Sequence, residues 1–333
     1  MALRRDIIMR QAVIYGMDGI GRPAATRNFT AGLGEAGERI IIAGSDPNAD
    51  SSQLAYGGSA RKTAPDNLRG EEENKEPDIK WQVDFMCNII NMHNKVKNIH
   101  VSLEKLYPIT VIDDGWFYVF DKNENGNKYE FMRKVKTSVV VASDILTAFH
   151  LNFYDMKPSV VISKNMLVNP GNYILVLHEF VHCYQLENGA VEIKNGLSIQ
   201  RQIMANNYNW EIDFPFPFKN QFFVDKTVEL AGCFAKGNYD YAEVYRNCMR
   251  AYLHKAEYEF MVWQEWKEGF ARYVENLIRK ELGLRLNGNI LTPPFGKVHF
   301  FEIGSKYIET LVEKEKGFDD NIVKLFHKMF VFE

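Results

Sequence analysis

Residues 178–182 read His-Glu-Phe-Val-His, and they lie inside an apolar run that begins Asn172-Tyr173-Ile174-Leu175-Val176-Leu177 and continues through Phe180, Val181 and Cys183. On a helix this spacing sets two imidazoles one turn apart on the same face. The surrounding residues predict a helix that is largely buried. Two ionisable side chains one turn apart in such a helix are costly unless they are paired or metal-bound. Both imidazoles reach one Zn²⁺, and Glu179 is placed to act as general base on the water that the ion activates. Zinc is therefore the expected cofactor. A chance match on a core helix is the competing reading.

A hydrolytic zinc site takes three protein ligands and keeps one position open. The best third candidate is Glu268, in Trp266-Lys267-Glu268-Gly269-Phe270-Ala271-Arg272-Tyr273-Val274-Glu275. Apolar residues recur there at helical spacing, and Glu268 sits on the neighbouring face. Glu265 and Glu275 compete with it. Gly269 lets another backbone or a ligand approach closely. Cys183, next to His182, points about 100° away from it on a helix and is expected in the core.

His178-Glu179-x-x-His182 followed much later by Glu268-Gly269-Phe270-Ala271 resembles the gluzincin metallopeptidases. The resemblance covers two short segments. It implies His178, His182 and Glu268 as metal ligands and Glu179 as the catalytic base. It also implies a later Tyr or His that steadies the oxyanion, for which Tyr307 and His299 are the candidates. One position departs from the pattern. Some gluzincins carry an Asp four residues after the ligand Glu, where it orients a ligand His, and here that position is Arg272. The orienting group must come from elsewhere or be a backbone carbonyl.

The first fifty-odd residues differ in kind. Residues 9–54 run strand, Gly-rich turn, helix, strand and acidic loop, the opening of a βαβ nucleotide-binding unit. They closely resemble the amino terminus of the nitrogenase iron protein, including Asp46-Pro47-x-Ala49-Asp50-Ser51. A phosphate-binding turn needs Gly-x-x-x-x-Gly-Lys-Ser/Thr. Here Gly16 to Gly21 is followed by Arg22-Pro23-Ala24, so the Lys and the Mg²⁺-binding hydroxyl are missing and Pro23 removes a backbone donor. Met17 stands in place of the family's first Lys, and Asp18 brings negative charge to the site. The four cysteines (Cys87, Cys183, Cys233, Cys248) have no cluster-like spacing. The head reads as a remnant that does not bind ATP.

Residues 56–80 are polar and charged and read as a linker. Residues 81–333 then form one domain, for which 46% hydrophobic and 13% aromatic content supply a core. A net charge of −3 argues against nucleic acid or an anionic membrane as partner. No apolar run is long enough to span a bilayer, no signal peptide is evident, and the cysteines fit reduced thiols in a cytoplasm. The expected fold is α+β: a zincin-like domain with a small, mostly antiparallel sheet and a largely helical C-terminal half, preceded by the βαβ head in residues 1–55. Expected helices span 81–96, 195–207, 222–235, 239–260, 262–282 and 299–315. Expected strands lie at 109–112, 116–120, 138–142 and 159–162, with 159–167 as an edge that pairs with substrate backbone. The aromatic, Pro-broken run 210–218 is expected to cap the core with its rings, or else to line a groove. The function these readings combine into is peptide-bond hydrolysis by a zinc-activated water, acting on a peptide or protein substrate. The alternatives are an inactive zinc-binding interaction domain and an iron-protein-like nucleotide-binding protein.

Overall fold

The computed structural model describes residues 80–136, 145–169, 171–200 and 210–330. The βαβ head, the linker and the expected strand at 138–142 lie outside the described residues.

An α+β architecture is present, as its pattern of elements predicts. Helix α1 (Lys80–Val96) precedes strands β1 (Ile109–Asp113), β2 (Trp116–Lys122), β3 (Tyr129–Lys136), β4 (Leu146–Leu151) and β5 (Lys157–Ser163). Helix α2 (Asn172–Glu187) opens the helical half. It is followed by α3 (Ala190–Gly196), α4 (Trp210–Asp213), α5 (Gln221–Ala235), α6 (Tyr241–Tyr252), α7 (Lys255–Glu281), α8 (Lys297–Lys314) and α9 (Ile322–Phe330).

The sheet order is β3-β2-β1-β5-β4. All neighbours pair antiparallel except β1 with β5. That single parallel pairing sets β5 inside the sheet and makes β4 an edge. The expected edge at 159–167 is therefore corrected: β5 is flanked on both sides, and Lys164–Val168 turns away as a 3-10 helix. Burial on both sides explains why β1 and β5 read as continuous apolar runs. Alternate residues serve two cores. Ile109, Val111, Val160 and Ile162 face the helical body, whereas Ile112, Val119 and Val161 join Leu151 and Tyr154 in a smaller cluster on the other face.

Helix α2 packs across β4 and β5 on one side and along α7 on the other. Helix α7 in turn lies against α8 at backbone contact. A methyl group at Gly269 would fall 2.8 Å from the Gly304 Cα, and one at Gly304 would fall 2.0 Å from the Glu265 carbonyl oxygen. The close approach anticipated at Gly269 is that of α8. The helical break expected near 261 falls instead at Leu253-His254. There the His254 amide donates to Glu257 Oε2 at 2.8 Å and closes a capping box at the start of α7. The 210–218 segment caps the core as expected: Phe214 stacks on Phe260, and Phe216 meets Phe300 edge to face. Among the described residues no helix is long and apolar enough to cross a membrane.

Candidate metal centre

Two helices supply the centre. The buried face of α2 carries His178, Glu179 and His182, whose ligand atoms all lie within 4.8 Å of one another. Helix α7 brings Glu268, with Oε2 3.5 Å from His182 Nε2. Glu275, seven residues after Glu268, lies on the same stripe of α7 two turns on.

Which ring nitrogen is free decides whether a histidine can ligate, and here neighbouring side chains decide it. His178 Nδ1 lies 3.0 Å from Glu275 Oε2, an acceptor only. His182 Nδ1 lies 2.8 Å from Gln185 Oε1. The amide of Gln185 cannot be reversed, because its Nε2 donates to the carbonyls of Trp266 and Lys267 at 3.4 and 3.1 Å. Both Nδ1 atoms therefore carry protons, and both Nε2 lone pairs are left for an ion. The ring centroids are 5.0 Å apart. Glu275 and Gln185 are thus the orienting groups that Arg272 does not provide. Arg272 lies 3.7 Å from Glu302 Oε2.

Without an ion, the charges favour a protonated His182 that shares its Nε2 proton with Glu268, so a cation would have to displace that proton. Burial pushes the Glu179 carboxyl up, outweighing the pull of His182 and His178, which makes it a stronger base than an exposed glutamate. Burial also acts to raise Glu268, but the charge and hydrogen bonding of His182, with Lys267 and His178, hold it well below the usual carboxylate range. The reciprocal effect lifts His182: desolvation favours its neutral form, and Glu268 and Glu179 together prevail. Burial would raise Glu275 too, but His178 and Arg279 hold it down at about 2.

The remaining candidates lie elsewhere. Glu265 is fully buried in an ion pair with Arg246. Tyr307 is buried with its ring 4.3 Å from the Arg246 guanidinium, in the same α6–α7–α8 interior. His299 caps α8, with Nδ1 accepting from the Gly296 amide at 2.9 Å. The contacts of these three side chains do not bring them to the α2 histidines. Cys183 is fully buried, as expected. In the sequence Glu275 stands only as a rival to Glu268 for the ligand role. Its spacing of seven from Glu268 was the signal that both face α2.

A second group has similar composition: His100, Asp319 and Asp320. His100 Nε2 is 3.3 Å from Asp319 Oδ2, and Tyr273 donates to the same oxygen at 3.0 Å. The outer contact is reversed here. His100 Nδ1 accepts from the Ser102 backbone amide at 3.1 Å. Ser102 Oγ also lies 2.7 Å from that nitrogen, so Nδ1 is engaged by Ser102 alone and the amide contact favours the tautomer with the proton on Nε2.

Residues 10–87 match the family model described as 4Fe-4S iron sulfur cluster binding proteins, NifH/frxC family. The match covers under a quarter of the chain and overlaps the stretch whose residues resemble the nitrogenase iron protein. No solved structure matches the chain. The family match overturns zinc as the expected cofactor, since the family it names binds a 4Fe-4S cluster. A physical reason underlies this correction. Imidazole and carboxylate donors bind many divalent first-row ions, and the motif alone does not select one. The donors present do not fit a 4Fe-4S cluster either. Such clusters are held by several Cys thiolates, and Cys87 is the single cysteine within the matched residues. Among the described residues neither candidate metal group contains a cysteine.

Proposed function

We propose that residues 81–333 form a metal-dependent hydrolase that cleaves peptide bonds, with a divalent cation held by His178 Nε2, His182 Nε2 and the Glu268 carboxylate. The observation that carries this reading is the pair of Nδ1 contacts, which leave both Nε2 atoms unengaged by Glu275 and Gln185, together with the approach of Glu268 Oε2 to His182 Nε2 at 3.5 Å. A bound divalent cation supplies Lewis acidity, which acidifies a water and polarises the scissile carbonyl. Glu179 then takes the proton from that water as its oxygen attacks the carbonyl carbon, and delivers it to the departing amine nitrogen. Its raised affinity for a proton suits both halves of the transfer. A peptide or protein is the proposed substrate.

The family match favours a second reading for residues 10–87, an iron-protein-like module. Arg22-Pro23-Ala24 opposes nucleotide binding there, because the Lys and the Mg²⁺ hydroxyl are absent.

Cleavage of a peptide library by the full chain, with and without chelator, tests the first reading. Glu179→Gln keeps the size and hydrogen bonding of the side chain but removes the base. It is expected to retain the cation and to cut about 10²–10⁴-fold more slowly. Unchanged cleavage by that variant contradicts the proposed mechanism. Micromolar Mg·ATP affinity in calorimetry would support the second reading.

A further inference from the structure

The loop between α7 and α8 folds back onto Glu275. Asn287 Nδ2 donates to Glu275 Oε1 at 3.0 Å and to Oε2 at 3.2 Å. The loop is tied to α7 by a reciprocal pair. The Asn287 amide donates to Asn276 Oδ1 at 2.7 Å, and Asn276 Nδ2 donates to the Asn287 carbonyl at 2.9 Å. Arg279 adds a third strap, giving Nε to Glu275 Oε1 at 2.6 Å and Nη1 to the Arg285 carbonyl at 3.3 Å.

We infer that Asn287 is a positioning residue for the metal centre, and that the α7–α8 loop sets the competence of His178 from outside the site. This rests on the reading of His178 as a ligand. Glu275 is 1% exposed, and its two oxygens must receive His178, Arg279 and Asn287 at once. Arg279 holds Oε1 alone. Asn287 touches both oxygens, so it fixes the rotation of the carboxylate plane and keeps Oε2 turned to His178 Nδ1. A carboxylate free to rotate would lose that direction, and with it the proton on Nδ1 that leaves Nε2 open. The backbone tether through Asn276 does not involve the Asn287 side chain. Truncating that side chain therefore removes the clamp without removing the loop's anchor. Leu284, Leu286 and Ile290 on the same loop are exposed, so whatever moves this loop acts on Glu275.

The test uses the full chain with Asn287→Ala and the isosteric Asn287→Asp, which sets a carboxylate against Glu275. Two readouts are taken: Co²⁺ affinity, and the ring tautomer of His178 in the metal-free protein by long-range ¹H–¹⁵N NMR. Both variants are expected to weaken Co²⁺ binding about 10–100-fold, the range seen for outer partners of metal ligands. Both are also expected to move His178 away from the Nδ1-protonated form, and Asn287→Asp, with its carboxylate against the buried Glu275, to melt lower than Asn287→Ala. Unchanged affinity and an unchanged tautomer in Asn287→Asp would overturn the proposal. If the wild-type chain binds no Co²⁺, the metal reading fails, and the tautomer of His178 alone still decides the role of Asn287. Should Asn287→Asp fail to fold, Asn287→Ala carries the same two readouts.

Discussion

Two clusters of this protein contain nearly the same side chains and differ in what they can hold. Glu275 and Gln185 take the Nδ1 sides of His178 and His182, and Glu268 Oε2 approaches His182 Nε2 at 3.5 Å. In the other cluster His100 sits beside Asp319 and Asp320, but the Ser102 amide and hydroxyl occupy Nδ1, and the amide favours the proton on Nε2. The first cluster is the one we propose to receive a cation; in the second, His100 Nε2 lies 3.3 Å from Asp319 Oδ2. Composition does not separate them; the atom on the far side of each imidazole does. Both clusters lean on α7, which offers Glu268 and Glu275 to one and Phe270 and Tyr273 to the other.

The largest effect should come from removing a ligand. His182→Ala is expected to lose both the cation and any hydrolysis, since a site left with two protein ligands binds metal poorly. His100→Gln should keep the cation. It leaves the Ser102 amide and Asp319 without their partner and should cost about 1–3 kcal/mol of stability. Metal content by mass spectrometry and thermal melts of both variants check the pair. Cation loss in His100→Gln with retention in His182→Ala would invert the comparison.

How far the sequence reveals this contrast follows from locality. The α2 histidines are legible because their spacing of four is local and sits in an apolar helix. Glu268 is legible as a candidate through the glycine and aromatics that follow it, and it lies 3.5 Å from His182 Nε2. The second cluster is not, because His100 and Asp319 lie more than 200 residues apart in the chain and meet only through the packing of α7. The sheet order hides for the same reason. The parallel β1–β5 pairing is non-local, so Ser159–Ile162 reads as a strand without revealing that it is interior. Strands β3 and β4 escape because partial exposure and interspersed charges blur their alternation. The roles of Gln185 and Glu275 depend on side-chain direction, which spacing alone does not give.

A smaller effect sharpens the point that α7 carries both clusters. Gly304→Ala places a methyl group 2.0 Å from the Glu265 carbonyl oxygen. The helices must separate, at about 1–3 kcal/mol or somewhat more for such overpacking. Gly269→Ala, at 2.8 Å from the Gly304 Cα, should cost less. Chemical denaturation of the two variants gives the order. Equal stability to wild type would mean that α8 gives way without disturbing α7.

The smallest effects appear as two separate windows of pH. The raised proton affinity of His182 means that protons compete with the cation from above pH 6.5, so metal should leave early as pH falls. Stability should persist further. Burial alone would raise Glu211, but Lys267 and Lys194 outweigh it and hold the carboxyl down at about 2. A carboxyl depressed in this way contributes stability that is present above its unfolded value of 4.5 and lost as pH falls from there toward 2. Cation release and acid unfolding followed on one sample should therefore separate. A single shared transition would show that the ion holds the fold together.

The direct measurement of the central claim is the tautomer of each imidazole in the metal-free protein, read by long-range ¹H–¹⁵N NMR above the pH at which His182 is protonated. The expected spectrum has His178 and His182 protonated on Nδ1 and His100 protonated on Nε2. A spectrum with His178 and His182 on Nε2, or with His100 on Nδ1, would contradict the assignment of the α2–α7 cluster as the metal centre.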